Sequence, residues 1–383
     1  MRGGSSRHDE GEARGEAGLA DLGPAPPITV TTPIPAPPYD AHRVVHRWDL
    51  DKTYLRTEFD TVKDLLRTAF ESAAQKKTVP GASALLREIR ATDPAGIYIL
   101  SGSPTQMRKV LEAKLRLDGI RWDNLVLKPQ LTNILRGRFR FVKDQVGYKL
   151  AALLDTRASM PSDTLEYMFG DDAEADAFIY SIYTDLCAGR VDVPTLMQVL
   201  EVAGVYPDVL PRVVRMAERV PRGGGAIRIF IHLDRVSSPR AFEEYGPRVC
   251  PFYNYFQPAC VLLEHGVLPP LSALRVAAEL VIHHGFTADA LVASYMDLVS
   301  RKQLGRYGAD VLAGFLEEVD ESLLASTAPV LRAFGRQLDE ECPADTPTPP
   351  PPPPIEIDWP GLFDRDRARA RAAKLRSLGR LAR

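Results

Sequence analysis

Val44-Val45-His46-Arg47-Trp48-Asp49-Leu50-Asp51-Lys52-Thr53 is the stretch that decides how this chain is read. Val44 to Leu50 has the length and apolar content of a buried strand, although His46 and Arg47 make it more polar than a strand covered on both faces usually is. Asp49 and Asp51 stand at i and i+2 where the run ends. On a regular strand they would share a face. At a strand end they diverge slightly around one reaction centre.

Two later stretches repeat the pattern of an apolar run followed by a polar stop. Gly96-Ile97-Tyr98-Ile99-Leu100 leads into Ser101-Gly102-Ser103-Pro104, and Leu165-Glu166-Tyr167-Met168-Phe169 leads into Gly170-Asp171-Asp172 with Asp176 beyond. Helical periodicity fills the intervals. Asp60 to Ala74 carries Val62, Leu65, Leu66 and Phe70 at helical spacing; Ser83 to Ile89 follows a break at Pro80-Gly81; Met107 to Leu117 precedes a short strand at Leu125-Val126-Leu127; Tyr148 to Leu154 contains Lys149. Alternating strands and helices predict an α/β fold, with a Rossmann-like parallel sheet covered by helices on both faces. In such sheets the site lies beyond the carboxyl ends of the strands, where the three polar stops fall.

After Asp176 the rhythm changes. Two helices, Pro194 to Ala203 and Val209 to Glu218, precede Arg222-Gly223-Gly224-Gly225 and then the alternation Ile227, Ile229, Ile231, Leu233. This strand is expected to return to the same sheet, making 188–225 a helical insertion in a domain spanning 41–237. From Pro239 to about Phe334 the pattern is helical throughout, which sets apart a helical C-terminal domain over 238–342. The ends differ in composition. Residues 1–40 are rich in Gly, Glu, Arg and Pro and are expected to be disordered, with Ile28 to Thr32 as a conceivable edge strand. Residues 343–360 form a Pro-rich linker whose six prolines, Pro349 to Pro354, predict a stiff spacer. Residues 361–383 predict a basic tail helix, held away from the core, with a thin apolar stripe of Leu375, Leu378 and Leu381.

The 383 residues carry a formal net charge of −2. From Gly361 to the end there are eight Lys or Arg against Asp364 and Asp366, a balance of +6, so the remainder is mildly acidic. That distribution argues against a nucleic-acid partner. Four scattered cysteines, Cys187, Cys250, Cys260 and Cys342, show no metal spacing and fit a reducing compartment. The N-terminus lacks the apolar core of a secretory leader, and no apolar run reaches the roughly 20 residues that span a bilayer. A cytoplasmic protein is expected, with the basic tail as its route to peripheral contact with anionic membrane.

The strand-end residues make a kit for phosphate-monoester hydrolysis. Asp49 would attack phosphorus as a carboxylate nucleophile. Asp51 would protonate the leaving oxygen and later take a proton from water. Thr53 would hold the loop, and Ser101 would donate to a phosphoryl oxygen. Lys149 would offset the charge that develops in the transition state; Lys128 and Lys143 are rivals for that place. A carboxylate approaches a phosphate dianion only with charge neutralisation, so Mg²⁺ is expected, ligated by Asp49, the Asp51 backbone carbonyl and Asp171, with Asp176 behind them.

Asp49-Leu50-Asp51-Lys52-Thr53, Pro80-Gly81, Tyr98 to Pro104, Gly147-Tyr148-Lys149 and Gly170 to Tyr180 resemble the catalytic domain of the actin-patch-protein phosphatidate phosphatases, a branch of the haloacid dehalogenase (HAD) superfamily. Asp171, Asp176, Ile179 and Tyr180 fall in register with that branch's fourth motif. Asp172 replaces a small residue, and His46 and Arg47 replace apolar ones. The resemblance implies a HAD-like phosphatase of phosphatidate-like lipid. The intervals from Thr53 to Ser101 and from Ser101 to Lys149 leave no room for a large cap, which suits a bulky substrate, and Arg136-Gly137-Arg138-Phe139-Arg140 is a candidate lining of the approach. Two alternatives stay open: a phosphatase acting on a phosphoprotein or a nucleic-acid end, and a non-catalytic interaction protein that retains the fold. Tyr253 to Gln257 is an aromatic cluster that more often marks core than a binding site.

Overall fold

The structure, a computed structural model, describes residues 36–51, 53–55, 78–128, 141–234 and 237–368. The strands are β1 (Val44–Asp49), β2 (Gly96–Pro104), β3 (Asn124–Lys128), β4 (Leu165–Asp171), β5 (Gly225–His232) and β6 (Val249–Phe252). Helices α1 (Ala82–Ala91), α2 (Arg108–Leu117), α3 (Phe141–Arg157), α4 (Asp176–Cys187), α5 (Val193–Ala203) and α6 (Leu210–Arg219) precede β5. Helices α7 (Phe256–Glu264), α8 (Pro270–His284), α9 (Ala288–Ser300), α10 (Arg306–Glu318) and α11 (Ala328–Glu341) follow β6. Every pairing in the six-stranded sheet is parallel, and the strand order is β3-β2-β1-β4-β5-β6. Strand order therefore reverses between β1 and β4, which opens a crevice at their carboxyl ends.

The period of two along the strands sorts side chains onto two cores. Val44, Trp48, Ile97, Ile99, Tyr167, Phe169 and Phe230 face one hydrophobic cluster, which contains α1, α2 and the helices from α7 to α11. Leu100, Met168, Ile229 and Ile231 face the other, which contains α3, α4, α5 and α6. The C-terminal helices thus share one face of the sheet with α1 and α2, and their core is continuous with it. The polar pair in β1 is buried on opposite faces. His46 stacks on Tyr167 and Phe169, with ring centroids 5.5 and 6.4 Å away, and burial drives its pKa down to about 3. Arg47 turns the other way, 2.8 Å from the buried Glu166 carboxylate and 2.6 Å from Thr156 Oγ1. A buried arginine with its charge paired and its donors occupied is tolerated where a lone one is not.

Three readings of the sequence need correction. The stretch after Pro239 is not wholly helical, since Val249–Phe252 is a strand that pairs with β5. With four residues and Pro251 inside, it gives almost no periodicity, and proline is tolerated there because β6 is an edge strand. Tyr39, assigned to a disordered segment, is buried and donates its backbone N–H to His265 O at 2.9 Å. The Pro-rich stretch does not hold the tail away. Arg306 donates its backbone N–H to Thr346 O, and Ile355 packs against Gly246. A helix over 359–368 then lays Trp359, Leu362 and Phe363 into the second core, where Trp359 and Phe363 meet the Phe178 ring edge-on at 5.7 and 5.0 Å. The spacing i, i+3, i+4 gives that helix an apolar stripe ahead of the leucines considered above. The expected helix Asp60–Ala74, the edge strand at Ile28, the Arg136–Arg140 run and the tail beyond 368 lie outside the described residues. No helix among the described residues is long and apolar enough to cross a membrane.

Candidate active site

The crevice at the strand-order reversal collects the expected residues from four places in the chain. β1 ends in Asp49 and β4 in Asp171, and these strands are neighbours in register, with Trp48 opposite Phe169. α4 begins with Asp176, and α3 carries Lys149 across from both. All four side chains are buried. Lys149 Nζ lies 2.8 Å from Asp49 Oδ1, 2.5 Å from Asp176 Oδ1 and 2.8 Å from Glu174 Oε2. Thr53 Oγ1 is 3.4 Å from both Asp49 Oδ2 and Asp171 Oδ2, so one hydroxyl proton serves two carboxylates.

Asp51 stands apart from this group. Its carboxylate accepts from Ser101 Oγ at 2.8 Å and from Ser103 Oγ at 3.3 Å, while the Ser103 N–H donates to Ser101 Oγ at 3.0 Å. The two serines therefore fix the second carboxylate of the DxD pair and keep it out of the carboxylate cluster. Ser101 is held in turn from α3, where the Tyr148 hydroxyl donates to its carbonyl at 3.0 Å. Of the three candidate lysines, Lys149 is the one in the cluster; Lys128 ends β3, and Lys143 lies in the first turn of α3.

The turn after β4 is built for close approach. Ala173 and Glu174 donate their N–H groups to Asp171 Oδ1 at 2.6 and 3.0 Å, and Asp171 donates its own to Asp176 Oδ2 at 3.2 Å. A Cβ on Gly170 would sit 2.5 Å from Asp176 Cβ, so only glycine lets α4 start this close to the end of β4. On the other side, the Tyr255 hydroxyl donates to the Thr53 carbonyl. Tyr255 thereby ties the DxDxT loop to the C-terminal helices, and its Cβ would lie 3.1 Å from a Cβ at Gly81, whose φ of +80° itself favours glycine. The aromatic cluster is therefore core at Tyr255 and Phe256, with Tyr253 exposed.

Charge in the crevice is unbalanced. Four carboxylates, Asp49, Asp171, Glu174 and Asp176, face one ammonium. Burial pushes Asp49 and Asp171 well above the ordinary carboxylate range; Lys149 opposes the rise, and the neighbouring acids add to it. Asp176 is raised to about 6, again by burial against the pull of Lys149. Burial also works against the charge on Lys149, but Asp176, Asp49 and Glu174 outweigh it and hold the amine protonated. Asp51 is raised by its burial and by Glu174, against its serine hydrogen bonds. Carboxylate oxygens of Asp49, Asp171 and Asp176 lie within 4.8 Å of one another. A buried set of hard oxygen donors short of positive charge fits a divalent cation. Sequence reading passed over Glu174, Ser103, Tyr148 and Tyr255. Ser103, Tyr148 and Glu174 lay inside quoted motifs; Tyr255 was read only as part of an aromatic cluster, because its partner at Thr53 is distant in the chain.

A family model described as phosphatidate phosphatase APP1, catalytic domain, matches residues 48–193. The matched segment runs from the last residues of β1 to the start of α5 and contains each of the site residues named in the sequence; β5, β6 and the C-terminal helices lie beyond it. Over that segment the chain resembles this family. No curated protein and no solved structure matches the chain.

Proposed function

We propose that this protein is a Mg²⁺-dependent phosphatase that hydrolyses a phosphate monoester through an aspartyl-phosphate on Asp49, with a phosphatidate-like lipid as substrate. The observation that carries the proposal is the meeting of Asp49, Asp171, Asp176 and Lys149 at the strand-order reversal, with Asp51 held alongside by Ser101. The lipid specificity comes from the family whose model matches residues 48–193. Asp49, Asp171 and Asp176 would hold the metal together with the Asp51 carbonyl. When bound, the metal supplies the positive charge that lets a carboxylate meet a phosphate dianion.

The residues then divide the work. An Asp49 oxygen attacks phosphorus, and the P–O bond to the alcohol breaks. Asp51, whose raised pKa favours the protonated form, gives its proton to the departing alkoxide. Water next attacks the acyl-phosphate at phosphorus, Asp51 takes its proton, and the P–O bond to Asp49 breaks to release inorganic phosphate. Lys149 stabilises the charge on the phosphoryl oxygens, and the Ser101 hydroxyl joins it by turning its one O–H from Asp51 to a phosphoryl oxygen. Thr53, tied through its carbonyl to Tyr255, keeps the loop in place. The basic tail beyond residue 368 would add reversible, salt-sensitive contact with anionic lipid.

The test uses the purified full-length protein with and without Mg²⁺. It compares phosphatidate in mixed micelles, a panel of phosphopeptides, 3′-phosphorylated oligonucleotides and an aryl phosphate. Phosphatidate should be the best substrate, with activity lost on chelation and in Asp49→Asn. Hydrolysis that survives Asp49→Asn would overturn the covalent mechanism, and a preference for phosphopeptide or oligonucleotide would overturn the substrate.

A further inference from the structure

Asp172 departs from the family pattern in the fourth motif, and no step of the proposed chemistry uses it. Its neighbours in the turn after β4 include two of the candidate metal ligands, Asp171 and Asp176. The hydrogen bonds from Ala173 and Glu174 to Asp171 Oδ1, and from Asp171 to Asp176 Oδ2, run within the turn. They set its shape but do not tie its tip to the rest of the sheet. Asp172 supplies two bonds that lead out of it. Its N–H donates to His232 O at 3.0 Å, and its Oδ2 accepts the Ser237 N–H at 3.1 Å. Both partners belong to the exit of β5, and that exit is itself held. Leu233 donates its N–H to Phe252 O at the end of β6, 2.9 Å away, and a 3-10 helix over Pro239–Tyr245 follows with Tyr245 buried. Asp172 thus fastens the turn to an anchored segment.

The turn needs such a fastening because of charge. Asp49 at the end of β1, Asp171 at the end of β4 and Asp176 at the start of α4 repel one another until a cation binds, and Glu174 adds to the repulsion. Outward give in the turn would relieve that repulsion and spread the oxygen donors. A cation would then have to draw them together again, at the expense of its affinity. We infer that Asp172 is a positioning residue for the metal set: through the Ser237 N–H it holds the turn between β4 and α4 against the exit of β5, so that the oxygens of Asp171 and Asp176 stay close to those of Asp49. It does so as a hydrogen-bond acceptor and not as a charge. The inference rests on the metal-dependent phosphatase reading for its meaning. It extends the candidate centre past the segment 48–193, since Ser237 and β5 lie beyond it.

Isothermal titration of the full-length protein with Mg²⁺ tests this, comparing wild type with Asp172→Ala and Asp172→Asn. Alanine removes both the acceptor and the charge. Asparagine removes the charge and keeps an oxygen that can accept the Ser237 N–H. Asp172→Ala should bind Mg²⁺ about tenfold more weakly, the low end of the range for residues that orient metal ligands from behind. Its hydrolysis of an aryl phosphate should need correspondingly more Mg²⁺ to reach half the maximal rate. Asp172→Asn should lie closer to wild type than to the alanine variant in both measurements. Wild-type affinity in Asp172→Ala would overturn the inference. An asparagine variant closer to alanine would overturn it as well, because that result describes lost charge and not a lost hydrogen bond. The Asp172 N–H bond to His232 O does not depend on the side chain, so the alanine protein should fold, which a melting curve checks. Failure to fold would count against the inference, since the side chain would then serve the fold at large. A wild type that takes up no Mg²⁺ would remove the inference together with the metal. Failure of the phosphatase reading alone would look different: no ester would be hydrolysed, while the order of the three Mg²⁺ affinities would stand.

Discussion

Replacing Gly170 with alanine tests how closely the fourth motif is built. The added methyl would lie 2.5 Å from Asp176 Cβ and 2.6 Å from Asp176 Oδ2. Carbon atoms in contact sit about 3.5–4.0 Å apart, so the start of α4 or the end of β4 must move by about 1 Å. Neither moves freely. Every residue of α4 is buried, and β4 is paired on both sides. Overpacking of this kind costs about 1–3 kcal/mol of stability. The catalytic cost should be larger, because the displaced group is the Asp176 carboxylate, which contacts Lys149 and belongs to the candidate metal cluster. A misplacement of about 1 Å can lower a rate by about 10²-fold. Thermal melts and steady-state kinetics on an aryl phosphate with Mg²⁺ would measure both effects. Gly314→Ala in α10 is the control: a Cβ there meets nothing within 4 Å, and alanine is the better helix former by about 1 kcal/mol. A Gly170→Ala protein that matches wild type in melting temperature and in kcat/KM would refute the close-approach argument.

Three further expectations follow from particular contacts. Asp51→Asn should keep metal binding, since its carboxylate faces Ser101 and Ser103, and should lower turnover by about 10²–10⁴-fold; loss of Mg²⁺ binding by calorimetry would put Asp51 in the wrong role. His46 has a folded pKa of about 3 against 6.5 unfolded, so the unfolded state binds the extra proton and stability falls as pH drops from 6.5 toward 3, by about 1.4 kcal/mol per pH unit. His46→Leu should remove that slope in denaturant titrations between pH 6 and 4 and, by deleting two buried ring nitrogens without hydrogen-bond partners, should not destabilise at pH 7; an unchanged acid slope would count against it. A chain ending at Cys342 loses Trp359, Leu362 and Phe363 from the second core, each of which contributes about 1.5–3 kcal/mol on burial, and its melting temperature should fall; an unaltered melt would mean the segment only lies on the surface.

The strand ends of the candidate site were legible because each combines two signals, a short apolar run and an abrupt polar stop at Asp49, Ser101 or Asp171. The alternation of strand and helix carried the parallel sheet, and the four aliphatic residues from Ile227 to Leu233 carried β5. What escaped was written in no local pattern. β6 is four residues long and contains a proline. The docking of the 359–368 helix depends on Phe178, which lies far earlier in the chain and points from α4 into a groove that exists only after folding. Glu174 escaped for a different reason: in the sequence it is one residue of a spacer, and its pairing with Lys149 follows from the way the turn wraps its N–H groups around Asp171.

Strand order explains why these pieces become one site, and no reading of the elements in sequence could supply it. Had β4 joined the far edge beside β3, Asp49 and Asp171 would stand three strand spacings apart, or about 14 Å at the usual interstrand spacing. No single cation could then be shared between them. Pairing β4 directly with β1 sets both carboxylates at one crevice, and it obliges α3 to cross back over the sheet on the side where Lys149 can reach them. The same arrangement leaves the opposite face of the sheet to α1, α2 and the C-terminal helices, and the C-terminal part of the chain returns through Tyr255 to hold the Thr53 carbonyl. The C-terminal helices lie outside the segment that the family model matches, yet they fix the loop that carries Asp49 and Asp51. A fragment limited to residues 48–193 would therefore keep every candidate catalytic side chain and lose the hydrogen bond that anchors their loop. It would also lose the strand β5 that pairs with β4, and with them the geometry on which the proposed chemistry depends.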